Sequence, residues 1–238
     1  TELLAMARET GDVVARRRAC AELVKRAQSN LQLKSEVETL LIEIASHEGH
    51  YWRVRYLALL QVGTLLGPMS AEAIEFSAET ERALLGIVDT SSAWVRNAAL
   101  LTLGRSRDPE HAALYQRYFD DASDRVINAA AIALGQSASP GAFEALVGLS
   151  ERPSWKQQSL ISALYGMAEL KDARAIEFAL RWLTDADPQP RWTLATPVWD
   201  YRLSAARTLA ALDAGAQGTP IVAERLRRAL ATNDISDV

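Results

Sequence analysis

The segment Ala93–Gly104 reads AWVRNAALLTLG, and Asp124–Gly135 reads DRVINAAAIALG. Aligned, the two share Val, Asn, Ala, Ala, Leu and Gly in register, and their closing glycines lie 31 residues apart. Self-similarity at such a period, with Ala and Leu at helical spacing, marks stacked helical units. The frame extends in both directions. Upstream, RVRYLALLQVG (Arg53 to Gly63) falls on it after a shift of 41 residues, and ARRRACAELV places Arg16 under Arg96 and Leu23 under Leu103. Downstream, SWKQQSLISALYG places Trp155 under Trp94 and Leu164 under Leu103, and YRLSAARTLA places Arg202 under Arg96 and Leu209 under Leu103.

Most of these segments follow a second amphipathic stretch: VETLLIEIA, ETERALLGIV, HAALYQRYF, AFEALVGL or AIEFALRWL. The unit is therefore helix, short turn, helix. The predicted pairs cover about 2–28, 34–66, 78–105, 109–137, 141–168 and 173–213, with PIVAERLRRALA as an unpaired last helix. No run alternates with period two for long enough to make a sheet. Ala98, Ala129, Ala130 and Ala205 let neighbouring helices approach closely, and Gly104 and Gly135 are expected as the C′ residues that end theirs.

Val95-Arg96, then Asn97-Ala98-Ala99 and Leu103-Gly104, resemble the turn and second helix of a HEAT-type repeat, as does Val54-Arg55. The pattern is degenerate at Val126-Ile127 and Lys156-Gln157, where the arginine is missing. The resemblance covers nearly the whole chain. It implies an all-α, right-handed α-solenoid of about six helix pairs plus a terminal helix, with 1–238 as a single domain and the second helices lining the concave side. The run SWKQQSLISALYGMAELKDARAIEFALRWL is also similar to HEAT segments at the C-terminal end of bacterial aminopeptidase N-like zinc metallopeptidases. In that family such a region walls the substrate chamber, and the zinc site belongs to an upstream domain.

The chain has 238 residues, 49% hydrophobic and 24% charged, with a net charge of −4, which excludes disorder and a disulfide scaffold. An acidic balance argues against a generic polyanion-binding surface. No apolar run is long enough to span a bilayer, and no signal segment is visible. Thr1 starts almost directly in a helix-like stretch without an initiator Met, so a fragment of a longer protein is expected. Cys20 is the single cysteine and sits on an apolar stripe, which predicts an inert buried thiol rather than a nucleophile.

One spacing recurs. An acid stands seven residues before the helix-opening arginine: Glu9 and Arg16, Glu48 and Arg55, Asp89 and Arg96. Asp120 keeps the acid position, but Ile127 replaces its arginine. A guanidinium can bridge two turns with its fork of donors, so a structural ladder is expected, the alternative being an anion-binding arginine row. If Asp120 pairs, it is expected to borrow Arg96 from the preceding repeat. Trp52, Trp94, Trp155 and Trp199 all stand near the start of a second helix, where each can staple the turn or offer a stacking platform. Trp182 reads as core-facing.

Two interruptions break the period. LLGPMSAEAIEFSAE adds about ten residues, which can form an extra helical turn. DADPQPRWTLATPVWD, from Asp185 to Asp200, contains three prolines and cannot be one helix. Arg191, Trp192, Trp199 and Tyr201 in and beside it are the candidate partner contacts, because Arg and Trp dominate binding hot spots. The alternative is that Trp192 folds back to pack the excursion.

Chemical motifs are lacking. HEGH (His47 to His50) is one residue short of H-E-x-x-H and runs into Gly49, so solvated turn histidines are expected rather than metal ligands. There is no phosphate loop, dinucleotide fingerprint or nucleophile elbow. The clusters Arg16-Arg17-Arg18 and Arg225, Arg227, Arg228 have acids nearby and read as solvated faces. No catalytic, metal or cofactor residue is assigned. The expected function is a non-catalytic scaffold for a protein or peptide partner, with no membrane role. The rival, from similarity to another HEAT-like class, is a DNA glycosylase or other nucleic-acid-binding solenoid.

Overall fold

The computed structural model describes residues 2–9, 11–67, 73–184, 199–215 and 223–224, and side chains at 2–8, 11–30, 32–67, 73–183, 201–212 and 223–224. Among the described residues there are twelve α-helices and no strand. Two compact units divide the chain, Thr1–Arg107 and Asp108–Val238.

Unit 1 contains three helix pairs: α1 (Glu2–Glu9) with α2 (Val13–Ala27), α3 (Leu31–Ser46) with α4 (Trp52–Leu66), and α5 (Ala78–Ile87) with α6 (Ala93–Gly104). Short polar residues start these helices. Asp12 accepts from the Val14 amide at 2.8 Å, Asn30 from Gln32 and Leu33 at 3.1 Å, and Ser77 from Thr80 at 3.1 Å, which satisfies amides that have no partner inside the helix. The second helices α2, α4 and α6 pack on one another in order, and α3 packs on α5, giving two layers. The apolar faces meet between them. Leu40, Leu41, Leu59, Leu84, Leu100 and Leu103 are fully buried, each worth about 1.5–3 kcal/mol relative to exposure.

Unit 2 continues the same plan. Its first pair opens with a broken helix: a 3-10 turn at Pro109–His111, α7 (Ala112–Arg117) and a second 3-10 turn at Tyr118–Asp120, followed by α8 (Asp124–Ser137). Then come α9 (Ala142–Ser150) with α10 (Gln158–Leu170), and α11 (Arg174–Thr184) with α12 (Trp199–Gly215). The expected pairs and the observed helices coincide along both units. The expected last helix and the 185–198 excursion, with Arg191 and Trp192, lie outside the described residues, as do Arg225, Arg227 and Arg228.

Two local expectations are corrected. Gly135 does not end its helix, because α8 runs to Ser137 and Ala138 takes the left-handed cap at φ 47°. Gly135 instead marks where α8 meets α10. A methyl group there would strike the Gly166 carbonyl, and one on Gly166 would lie 2.5 Å from the Ala131 carbonyl oxygen. These two glycines thus allow the backbones of α8 and α10 to touch, the close approach that the sequence assigned to alanines such as Ala129 and Ala130. In the first interruption, residues 73–77 are not an extra helical turn. Ile74 is buried, and its amide donates to the Arg105 carbonyl at 2.9 Å, pinning this non-helical stretch beside α6.

Candidate functional site

The arginines of unit 1 are placed by the turn between the two helices of each pair. Arg16 is buried and donates to the Arg8 carbonyl at 3.3 Å, at the end of α1, and to His50 Nδ1 at 3.3 Å in the next turn. Arg55 repeats the arrangement. Its Nε donates to the Ala45 carbonyl at 2.7 Å, near the end of α3, and its Nη1 donates to the Thr90 hydroxyl of the next turn at 3.1 Å. Arg96 donates to the carbonyls of Thr90 and Ser91 at 2.9 and 2.8 Å. These carbonyls belong to helix ends and turns, where no helical amide remains to bond them and the helix dipole is negative.

The guanidiniums of Arg16 and Arg55 therefore each link their own turn to the next, with a helix-end carbonyl among the direct partners of each, whereas the two carbonyls that Arg96 holds belong to its own turn. Glu48 acts on Arg55 through its charge, and the burial of Arg55 outweighs that attraction and holds its pKa below the usual value. The side chain of Glu9 lies outside the described residues. Arg16 is not part of a solvated basic face, although Arg17 and Arg18 are exposed.

Asp120 pairs with an arginine of the following repeat, where Arg96 of the preceding one is the expected lender. Arg152 donates to Asp120 Oδ1 at 2.7 Å and to the Phe119 carbonyl at 2.9 Å, and its guanidinium carbon sits 5.9 Å from the Phe119 ring centre. The partner comes from the turn of the following repeat, because stacking brings successive turns side by side. Arg105 is a further cap that the spacing does not disclose. It donates to the carbonyls of Gly63 and, at 2.9 Å, Gly67, at the end of α4.

The second helices of unit 1 also carry an aromatic cluster. Trp52 stacks on Trp94 with centres 5.4 Å apart and planes 22° apart, and Tyr56 meets Trp94 edge-on at 5.7 Å. Tyr51 leans on Trp52 at 5.5 Å, and Arg53 lies 5.6 Å from the Trp52 ring centre. Tyr51 is 56% and Trp94 39% exposed, so the cluster forms part of the surface. Trp52 and Trp94 thus pack on each other between repeats. The two tyrosines were not singled out in the sequence, although Tyr56, one helical turn after Trp52, carried the signal.

Other candidates have different fates. Trp155 is 74% exposed and does not staple its turn, because left-handed backbone at Lys156 and Gln157 turns this segment away from a regular helix start. The side chain of Trp199 lies outside the described residues. Tyr201 is a core residue rather than an exposed contact, 5% exposed and edge-on to Trp182 at 6.0 Å. Trp182 is half-buried.

His47 and His50 stack at 4.4 Å, and His47 is exposed. His50 accepts from Arg16, so it is tied into the turn bridge, and burial, then Arg16, His47 and Arg55, lower its pKa. Cys20 is buried at a small apolar cleft between α2, α3 and α4, and burial raises its thiol pKa against the opposing charge of Arg16. No helix among the described residues is long and apolar enough to cross a membrane.

Helices paired through short turns, repeated along both units, match a known pattern in sequence as well. Residues 80–164 match the family model for HEAT repeats. The remaining described helices are paired in the same helix–turn–helix order. No curated protein matches the chain. Among solved structures, a mutant of Kap121p is similar over 90% of this chain, with a TM-score of 0.58 and 15% identity. This chain covers 23% of that one, so it spans about a quarter of its length. A designed armadillo repeat protein in complex with the peptide (KR)4 is similar over 89% of this chain and 100% of its own, with a TM-score of 0.48 and 16% identity. None of these similarities points to the aminopeptidase N-like metallopeptidases.

Proposed function

We propose that the chain is a non-catalytic HEAT-repeat scaffold that binds a protein or peptide on the second-helix face of unit 1. The observation that carries this is the surface cluster of Tyr51, Trp52, Tyr56 and Trp94. Exposed aromatic rings held rigid by one another lose little entropy on binding and dominate contact energies. The buried arginines are engaged with backbone oxygens inside the repeats, which suits a structural duty for them. The chamber-shaping role in an aminopeptidase N-like enzyme has no support from the comparisons and is not adopted.

Photo-crosslinking tests the proposal. A photoreactive phenylalanine replacing Trp94 should give protein adducts in the source cell, whereas one replacing Glu36, on α3, should not. Nucleic-acid adducts, or equal labelling from both positions, would overturn it in favour of the glycosylase-like or another reading.

A further inference from the structure

Charge is segregated between the two helix layers of unit 1. The second helices α2, α4 and α6 carry eight Lys and Arg against one acid, Glu22, whereas α1, α3 and α5 carry three against seven. The second helices of unit 2 show no such excess: α8, α10 and α12 carry three Arg against four acids. Arg16 and Arg55 are buried, so the positive excess at the surface comes from the exposed Arg17, Arg18, Lys25, Arg26 and Arg53, in a chain of net charge −4.

The excess coincides with the aromatic cluster. On α4, Arg53, Leu57 and Gln61 form one stripe at four-residue spacing, and Trp52, Tyr56 and Leu60 form the adjacent one. Leu57 and Gln61 share a cleft with Arg17 of α2, so the Arg53 stripe faces toward α2. The Trp52 stripe meets Trp94 of α6. Arg17, Arg18 and Arg53 are exposed, and Leu60 is 38% exposed. The surface therefore runs from Arg17 on α2, across Arg53, to rings on α4 and α6.

We propose that this surface binds an extended acidic peptide segment whose carboxylates meet Arg17 and Arg53 and whose proline or aromatic residues lie on the Tyr51–Trp52–Tyr56–Trp94 cluster. The proposal rests on the protein-binding function given above and names the partner's chemistry. Guanidiniums pair carboxylates with two parallel hydrogen bonds, and aromatic surfaces take proline rings without needing a free space between them. A nucleic acid fits less well. Trp52 and Trp94 stack directly on each other, which leaves no gap between them for an intercalating base.

Three fluorescein-labelled probes of equal length decide it by anisotropy: a peptide of repeating Glu, Pro and Tyr, its counterpart with Lys for Glu, and oligothymidylate. The acidic peptide should bind tightest, and its affinity should fall with added salt. Arg53→Glu and Trp94→Ala should each weaken it by about tenfold, with circular dichroism confirming the fold. Arg82→Glu, an exposed change on α5, should leave binding unchanged. Tighter binding of the lysine peptide or the oligonucleotide overturns the proposal, as does insensitivity to Arg53→Glu. If no peptide binds but Trp94 crosslinking still gives protein adducts, this proposal falls while the scaffold function stands. If both fail, both fall.

Discussion

Arg55 donates to the Thr90 hydroxyl 35 residues away at 3.1 Å while its Nε holds the Ala45 carbonyl at 2.7 Å. One buried side chain thus closes the end of its own first helix and fastens the next turn to it. Removing it leaves a helix-end carbonyl and a hydroxyl without their donor. Arg55→Ala should cost about 2–4 kcal/mol in urea unfolding, from hydrogen bonds to a charged donor plus the unsatisfied groups left behind. Glu48→Gln should cost less than about 0.5 kcal/mol, because Glu48 is exposed and acts through its charge alone. Equal losses would restore an acid–arginine pair as the stabilising unit.

Arg152 offers the same contrast with an exposed acid. The Asp120 carboxylate is 79% exposed, so its ion pair at 2.7 Å is screened by water. Asp120→Asn should change stability by less than about 0.5 kcal/mol. Arg152→Ala should cost about 1 kcal/mol or more, because the Phe119 carbonyl also loses its donor. A larger loss for Asp120→Asn than for Arg152→Ala would show the carboxylate, not the carbonyl, to be the important acceptor.

Two helical glycines should respond in opposite directions to alanine. Gly148, in α9, has open space around an added methyl group, so Gly148→Ala should stabilise by about 0.5–1 kcal/mol through helix propensity. Gly135→Ala gains the same propensity but drives a methyl group into the Gly166 carbonyl. Forcing α8 from α10 should make it a net loss of about 1–3 kcal/mol. Stabilisation by Gly135→Ala would mean that the two backbones are not in contact. Thermal melts of the two variants against the parent chain measure both.

Helix pairs were legible because their information is local. Asp12, Asn30 and Ser77 cap within three residues, and the Ala–Leu face repeats within each helix. The bridging role of Arg16 and Arg55 was legible too, since a fixed place at the start of a second helix always overlooks the turn. What was not legible depends on how one repeat settles on the next. Arg152 reaches Asp120 across 32 positions, and Trp52 finds Trp94 only when α4 and α6 pack. Acid spacing suggested carboxylate partners, but at Arg55 the helix-end carbonyls lie nearer the guanidinium. The end of α8 was misplaced because Gly135 satisfied a rule for helix stops while serving helix contact, and Ala138 supplied the left-handed turn instead.

The His50 bridge makes unit 1 sensitive to acid. His50 Nδ1 accepts from Arg16, so the folded ring is neutral with its proton on Nε2. The groups around it are Arg16 of α2, the stacked His47 and, further off, Arg55 of α4, all unfavourable to a second positive charge. Its folded pKa is therefore lowered, by burial first and these charges next, below the unfolded value of about 6.5. A lowered value means that the unfolded chain takes up the proton more readily. The contribution of His50 is fully present above about pH 6.5 and is lost as pH falls through the folded value. Urea unfolding at neutral and mildly acidic pH should show the parent chain losing more stability than His50→Gln, whose amide oxygen can accept from Arg16 without titrating. Parallel pH profiles for the two proteins would remove His50 as the source.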